Sequence, residues 1–290
     1  MRKINWQKEQ FAAIILSHGR PDNIKTLTML QQFHYTGPIY ILIDNEDETA
    51  PRYKELYGEQ VIVFDKAAIA ATFDEGDNFN LPRKSVVYAR NACFKVAQQL
   101  GLKYFLQLDD DYNHFEYRFS PDLLPQYRMA KNLDPLFKVV LDFYKSIPAL
   151  TIAFAQTGDL IGGDNGKELK KIYLKRKAMN TFFCSVDRPL VFTGRINEDV
   201  NTYCSLGHRG QLIFQMYNAI VQQTTSQQSS GGMSELYLNT GTYLKSFYTV
   251  MANPSFVQVG ALPSDHPRFH HRIRWDHAVP VIISEKWRKV

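Results

Sequence analysis

The stretch Tyr104-Phe-Leu-Gln-Leu-Asp109-Asp110-Asp111-Tyr112 constrains this chain more than any other. Its first five residues read as a short buried strand, bounded upstream by Leu100-Gly101 and rich in aromatic and aliphatic side chains. Three carboxylates then arrive at the C-terminal edge of that strand. In open α/β sheets ligands bind at this edge, because loops leaving the strand ends create a crevice. Adjacent acids repel one another, so the triplet costs free energy unless a cation or hydrogen-bond donors offset it. On an extended backbone Asp109 and Asp111 face the same side. Such a pair can hold a hard, oxygen-seeking cation, Mg²⁺ or Mn²⁺, and leave positions open for water and phosphates. The plainer alternative is a solvated acidic turn. The apolar strand before the triplet and the aromatic run 112–119 after it favour the metal.

The rest of the chain supplies a setting for such an edge. Residues 11–17 form a first buried strand, which breaks at Ser17-His18-Gly19-Arg20-Pro21. Asp22 or Asn23 is placed to cap a helix running to about Phe33. A second strand, 39–43, ends in Asp44-Asn-Glu-Asp-Glu48, and a short helix over 51–57 leads to a third strand, 60–64. This alternation predicts a parallel sheet with helices on its faces. A loop over 74–82 precedes a long helix, 84–100, that feeds straight into the central strand. Further on come a helix over 133–145, a strand over 150–154 and a loop over 156–164 whose glycines let backbone approach a ligand; Gly158 and Asp159 lie in it. A helix opens at 195–203 with Asn197 as its N-cap. A strand over 210–217, a polar loop over 222–232, a helix over 243–251 and strands over 256–259 and 268–275 complete the chain. No internal repeat or linker divides it. The expectation is a single α/β domain over 1–290, with a nucleotide-binding half to about 112 and an acceptor-binding half after it.

Composition removes several classes. A hydrophobic fraction of 44% with a mean hydropathy of -0.31 describes an ordinary globular protein, and no apolar run reaches the length of a membrane helix. The N-terminus carries no apolar leader core, so a cytoplasmic location is expected, in a host cell if the chain is phage-encoded. Cys93, Cys184 and Cys204 lie far apart with no paired spacing, which argues against a disulfide framework or a zinc site. The net charge of +5 is mild, but cations cluster. Lys167, Lys170, Lys171, Lys175, Arg176 and Lys177 crowd one segment, and Arg268, Arg272 and Arg274 flank His270 and His271 in another. Clusters of this kind suit a polyanion, and they are equally common on solvated surfaces.

The loops at 17–20, 44–47 and 109–111 leave the ends of presumed parallel strands, a crevice fit for a nucleotide. No Gly-x-Gly-x-x-Gly follows the first strand and no phosphate-cradling Gly-x-x-x-x-Gly-Lys-Ser/Thr occurs. What remains is metal-assisted departure of a diphosphate, the chemistry of a nucleotide-sugar enzyme.

Seven stretches carry a resemblance. They are Ile15-Leu-Ser-His-Gly-Arg-Pro21, Asp44-Asn-Glu-Asp47, Val87-Tyr-Ala-Arg-Asn91, Phe105-Leu-Gln-Leu-Asp-Asp-Asp-Tyr112, Arg195-Ile-Asn-Glu-Asp-Val-Asn201, Ser230-Gly-Gly-Met233 and His270-His-Arg272. In this order they resemble the TET-associated glycosyltransferases, phage-type enzymes of the GT-A fold. The resemblance implies a mostly parallel central sheet flanked by helices, with a C-terminal acceptor-side extension. It implies a UDP-sugar donor (UDP-glucose or UDP-GlcNAc), Mn²⁺ or Mg²⁺, and 5-hydroxymethylcytosine or 5-hydroxymethyluracil in double-stranded DNA as acceptor. A TET/JBP-like dioxygenase would make that base upstream, and no membrane is involved.

Roles follow by matching motifs. Ser17, His18, Gly19, Arg20, Asp44 and Asn45 are expected to line the nucleotide pocket, with Arg90 and Asn91 on the supporting helix and Asp109 and Asp110 beside it. Asp109 and Asp111 would hold the metal, Asp111 chiefly, joined by His270 or His271. On an extended 268–275 segment, His271 falls with Phe269 and Ile273 on a core-like face, which favours His270. Asp199 is the expected base, Glu198 the alternative, with ordinary helix capping as the plainer role for both. Gly158, Asp159, Lys170, Lys171, Lys175, Arg176, Lys177, Arg195, Arg272 and Arg274 are the expected acceptor contacts. For Arg90 a structural ion pair and for His18 a helix-capping contact stand as alternatives. Transfer to a protein, glycan or lipid, or a catalytically silent binding module, also remains open.

Overall fold

All six residues of β1 (Phe11–Leu16) are buried, because the strand is covered on both faces. Phe11, Ala13 and Ile15 enter one hydrophobic core, whereas Ile14 and Leu16 enter another. The period-two alternation of a strand therefore sorts one apolar run into two layers. The computed structural model describes residues 3–77, 83–119, 125–156, 178–223, 234–262, 268–282 and 284–285.

β1 lies between β2 (Ile39–Asp44) and β4 (Tyr104–Asp109), parallel to both, and β3 (Val61–Phe64) continues the parallel set beyond β2. The remaining strands are β5 (Tyr112–Phe119), β6 (Pro125–Met129), β7 (Ala149–Gln156), β8 (Phe182–Ser185) and β9 (Leu212–Gln223). Together they make a nine-stranded sheet of order β3-β2-β1-β4-β8-β7-β9-β5-β6. The sheet is parallel through β4; beyond it, β8 runs antiparallel to both β4 and β7, and β7 pairs parallel with β9. This is the α/β class expected, with a mixed second half. β10 (Val257–Leu262) and β11 (Arg268–Ile273) form a separate antiparallel ribbon.

Helices cover both faces. α2 (Lys25–Gln32), α3 (Ala50–Tyr57) and α6 (Leu133–Ser146) supply Leu27, Leu30, Tyr53, Phe137 and Leu141 to the first core. α4 (Lys66–Ala70), α5 (Val87–Gln99) and α7 (Glu198–His208) supply Ile69, Tyr88, Cys93, Val200 and Tyr203 to the second. α1 (Trp6–Glu9), α8 (Ser234–Ala252) and α9 (Trp275–Ala278) complete the α-helices among the described residues, and none of these helices is long and apolar enough to cross a membrane. The three cysteines are buried free thiols, as expected.

Several expectations are corrected. Ile24, not Asp22 or Asn23, precedes α2, and no side chain caps it; Asp22 accepts instead from Nε and Nη2 of Arg52. Asn197 stands at the N-cap of α7, but its backbone is left-handed (φ 54) and its side chain makes no capping bond. Its amide donates to the Lys245 carbonyl and to Thr249 Oγ1 on α8. The polar stretch from Gln222 begins inside β9, and 224–232 lies outside the described residues. Residues 268–275 are not one strand, since Trp275 opens α9. The aromatic run after the triplet is β5, with Tyr112 and Phe115 fully buried in the core.

Candidate active site

Strand register puts a small step in the edge. Leu16 pairs with both Leu42 and Asp109, so β1 and β4 end at one level, while β2 runs two residues further to Asp44, level with Phe64 at the end of β3. Because side chains alternate, consecutive residues leaving β4 diverge: Asp109 turns towards α5 and Asp110 towards the loop after β1. Thr26 of α2 latches the triplet's backbone. Its hydroxyl donates to the Asp109 carbonyl and accepts from the Tyr112 N–H, and its own N–H donates to the Asp110 carbonyl.

The nucleotide-side residues engage one another. Asp110 is buried and accepts from Ser17 Oγ at 2.7 Å and Arg20 Nη1 at 3.1 Å. Tyr53 OH bonds Ser17 Oγ and accepts from the Arg20 N–H. Asp44 is paired with His18 Nδ1 at 2.8 Å and with buried Lys66 Nζ at 3.1 Å. Burial raises the Asp44 carboxyl, but His18 and Lys66 outweigh it and hold it below its ordinary value. The bond to Asp44 raises the His18 imidazole against the opposing effect of burial. Gly19 adopts φ +69, a conformation glycine takes without strain, and its N–H donates to Asp47 Oδ2. Asn45 Oδ1 accepts from the Lys66 N–H, which ties the loops after β2 and β3 together. Sequence reasoning missed Lys66, Asp47 and Tyr53; the one available signal for Lys66 was its position two residues beyond the third strand.

The acids of the triplet are crowded. Burial, then Asp109 and Asp110, push the Asp111 carboxyl up to about 7. Burial also raises Asp110, although Ser17 and Arg20 oppose it. Asp109 Oδ2 lies 3.5 Å from Asn180 Nδ2. Arg90 Nη2 lies 3.3 Å from Asp109 Oδ1, yet that oxygen accepts no hydrogen bond among the described residues. An orphaned buried carboxylate oxygen beside two mutually repelling acids is what a hard cation would relieve. The donor set therefore fits Mg²⁺ or Mn²⁺ held by Asp109 and Asp111, with the remaining positions left to water and phosphate. Among the described residues no group of three His, Cys, Asp or Glu is assembled for a metal, so His270 and His271 are not brought to this pair. His271 is buried, as expected from its face of β11, whereas Phe269 on that face is 51% exposed.

Across the sheet edge α7 opens with the expected acids, and they differ. Glu198 is buried, and its Oε1 lies 3.2 Å from Nε of the fully buried Arg90. Burial and neighbouring Asp199 push the Glu198 carboxyl up to about 7, with Arg90 opposing. Asp199 is only half-buried. Arg90 thus makes the ion pair given above as its structural alternative, and Asn91 exchanges two hydrogen bonds with the Phe192 backbone.

One acceptor contact is corrected. Arg195 is buried and ion-paired to Asp77, whose side chain is 5% exposed and also accepts from Tyr248 OH, so the Arg195 guanidinium is not presented to a phosphate backbone. Arg272 and Arg274 are exposed, with Arg272 Nη2 donating to the Ala261 carbonyl across the ribbon and Arg274 Nη2 3.0 Å from His277 Nε2. Gly158, Asp159, Lys170, Lys171, Lys175, Arg176, Lys177 and the Ser230-Gly-Gly-Met233 motif lie outside the described residues.

No curated protein matches the chain. Glucosyl-3-phosphoglycerate synthase from Mycobacterium tuberculosis, solved with Mn²⁺, UDP and phosphoglyceric acid, aligns at 10% identity over 92% of this chain and 88% of its own, with a TM-score of 0.47. Mannosyl-3-phosphoglycerate synthase from Rubrobacter xylanophilus aligns at 12% identity over 92% and 87%, with a TM-score of 0.41. S. aureus TarS 1–349 aligns at 11% identity over 84% and 66%, also with a TM-score of 0.41. The sequence profile of the TET-Associated Glycosyltransferase family matches residues 11–232, most of the chain, and the protein belongs to that family.

Proposed function

We propose that this glycosyltransferase moves a hexose from a UDP-sugar to the hydroxymethyl group of a 5-hydroxymethylpyrimidine in DNA. The observation that carries the donor half is the crowded triplet at the sheet edge, with an Asp109 oxygen that accepts no hydrogen bond among the described residues and meets the Arg90 charge at 3.3 Å. Family membership carries the acceptor half, with a TET/JBP-like dioxygenase as the source of the modified base.

Asp109 and Asp111 would hold Mn²⁺ or Mg²⁺ on this edge. When bound, the cation neutralises charge that develops on the departing diphosphate. His18, Gly19 and Asn45 border the nucleotide, with Ser17, Arg20, Asp44 and Asp110 setting the loops that carry them. The acceptor alcohol is a weak nucleophile at neutral pH and needs a group to take its proton. Asp199 takes it as the alcohol oxygen bonds to the anomeric carbon and the bond from that carbon to UDP breaks. Glu198 is tied to Arg90, which leaves Asp199 as the acid able to meet an acceptor. A base within a duplex must leave the stack to reach a buried sugar, at a cost of roughly a few kcal/mol.

Incubation with hydroxymethylated and unmodified DNA, a panel of UDP-sugars and Mn²⁺, followed by nucleoside mass analysis, tests the assignment. A hexose added to the hydroxymethyl nucleoside alone is the expected result. Donor hydrolysis without transfer to either DNA would assign the acceptor to another class. No donor turnover at all would remove the enzyme reading.

A further inference from the structure

We infer that Arg90 is a positioning residue that binds the cation-bearing edge and the base-bearing helix into one unit, by spanning Asp109 and Glu198 with a single guanidinium. The inference rests on the metal and base roles proposed above and adds a connection between them. Arg90 is 2% exposed, so it meets no solvent and no surface ligand. Its Nη2 lies 3.3 Å from Asp109 Oδ1 and its Nε 3.2 Å from Glu198 Oε1, while Nη2 also donates to the Met179 carbonyl. The rings of Phe182 and Phe192 lie 5.2 and 5.8 Å from the guanidinium carbon, which restricts its swing.

The backbone around it is pinned as well. Gln107 Nε2 donates to the Arg90 carbonyl from β4, two residues before Asp109. Asn91 exchanges hydrogen bonds with the Phe192 backbone, in the segment leading to α7. Glu198 and Asp199 are consecutive at the start of α7, about a quarter-turn apart. Fixing Glu198 therefore fixes the direction of Asp199. The planar fork is suited to this task, because it aims separate donors at the two acids in a fixed geometry, whereas a lysine offers one flexible point charge.

One cation serving two acids makes a prediction that mere structural support does not. If Glu198 loses its charge, the whole guanidinium charge falls on Asp109 and competes with a bound metal. Mn²⁺ affinity in the presence of UDP would be measured by calorimetry at pH 8, with melting temperatures recorded alongside. Glu198→Gln is expected to weaken Mn²⁺ about tenfold, although the residue is no metal ligand. Adding Arg90→Met removes the surplus charge and should return affinity to the wild-type value or tighter, while transfer stays impaired. Mn²⁺ affinity within about twofold of wild type in Glu198→Gln, or a double variant as weak as the single, overturns the inference. Wild-type protein that binds no Mn²⁺ with UDP would instead remove the metal reading itself, and Arg90's role with it. Should Glu198→Gln fail to fold, Arg90→Lys serves. It should lower kcat at least about tenfold with the KM for UDP-sugar little changed, and an unchanged kcat overturns the inference.

Discussion

The sheet edge after β1, β2 and β4 and the opening of α7 are both built from carboxylates beside cations, yet they are held in opposite ways. At the edge, partners come from neighbouring strand-end loops: Ser17 and Arg20 on Asp110, His18 and Lys66 on Asp44. At α7 they come from distant parts of the chain: Arg90 on Glu198, Asp77 on Arg195, and the α8 positions Lys245 and Thr249 on Asn197. At the edge, burial and then the crowding of Asp109 and Asp110 raise Asp111, with Arg20 opposing. At α7 each charge has a fixed partner, Arg90 on Glu198 and Asp77 on Arg195, although burial and Asp199 still push Glu198 up to about 7. A charge removed from the edge should therefore cost chemistry, and one removed from the α7 interior should cost the fold.

The sharpest break of that contrast is at Asp111. Asp111→Asn should lower turnover by about a thousandfold, the several kcal/mol a cation contributes to charge stabilisation. Folding stability at pH 8 should hold or rise, because the ionised carboxylate is repelled by its neighbours in the folded state. Excess chelator should abolish wild-type activity likewise. Near-normal turnover in the variant, or a large fall in melting temperature, would break the comparison at its donor end.

Asp199 tests whether α7 also has a chemical member. Asp199→Asn should lose about 10² to 10⁴-fold in transfer while UDP-sugar binding stays intact. Retained transfer in that variant, with loss in Glu198→Gln at unchanged metal affinity, would exchange the two roles. Activity in both would point to a retaining reaction without a base of this kind.

Arg195 carries the structural half of the contrast. Arg195→Met leaves Asp77 buried without its cation and should cost about 3–5 kcal/mol in chemical denaturation. Where the variant still folds, the salt dependence of DNA affinity should match wild type, since Arg195 meets no phosphate. Exposed Arg272 is the control: Arg272→Ala should reduce the log–log salt slope by about one unit at little cost in stability. A changed slope in Arg195→Met would return that residue to the acceptor surface.

These differences also explain what could be seen in the chain beforehand. β1, β2 and β4 were legible because strands covered on both faces need unbroken apolar runs, and their polar ends stand out against them. The parallel alternation and the placement of 17–20, 44–47 and 109–111 on one edge followed from that. Arg195 misled for the converse reason, and Arg90 could not be decided between two roles. A buried arginine and an exposed one are the same letter, and only the fold brings Asp77 and Asp109 to them. Asn197 had the composition of a cap, but its backbone is left-handed and its amide is engaged by α8, packed beside it. Lys66 was missed because a lone lysine after a short strand is ordinarily solvated, and its partner Asp44 lies on another strand.

The smallest effect is expected at His18, and its sign tests whether the edge cations act by charge. The bond to Asp44 raises the imidazole above its ordinary 6.5, and His18 with Lys66 lowers Asp44 below its ordinary 3.8. A raised histidine stabilises the fold fully below its unfolded value, and that contribution fades as pH rises through the folded value. The lowered carboxylate contributes above its unfolded value and fades as pH falls through the folded one. Both therefore act together from about pH 4 to 6.5, and the His18 share is gone well above that. The imidazole is about half exposed, so solvent screening limits the pair to under about 1 kcal/mol. Melting curves of wild type and His18→Gln should differ most near pH 5 to 6 and converge by about pH 8.5, because Lys66 remains on Asp44 in both. A difference that stays flat or grows with pH would mean that His18 holds the loop as a neutral hydrogen-bonding partner. The edge would then depend on Lys66 alone for the charge that keeps Asp44 ionised.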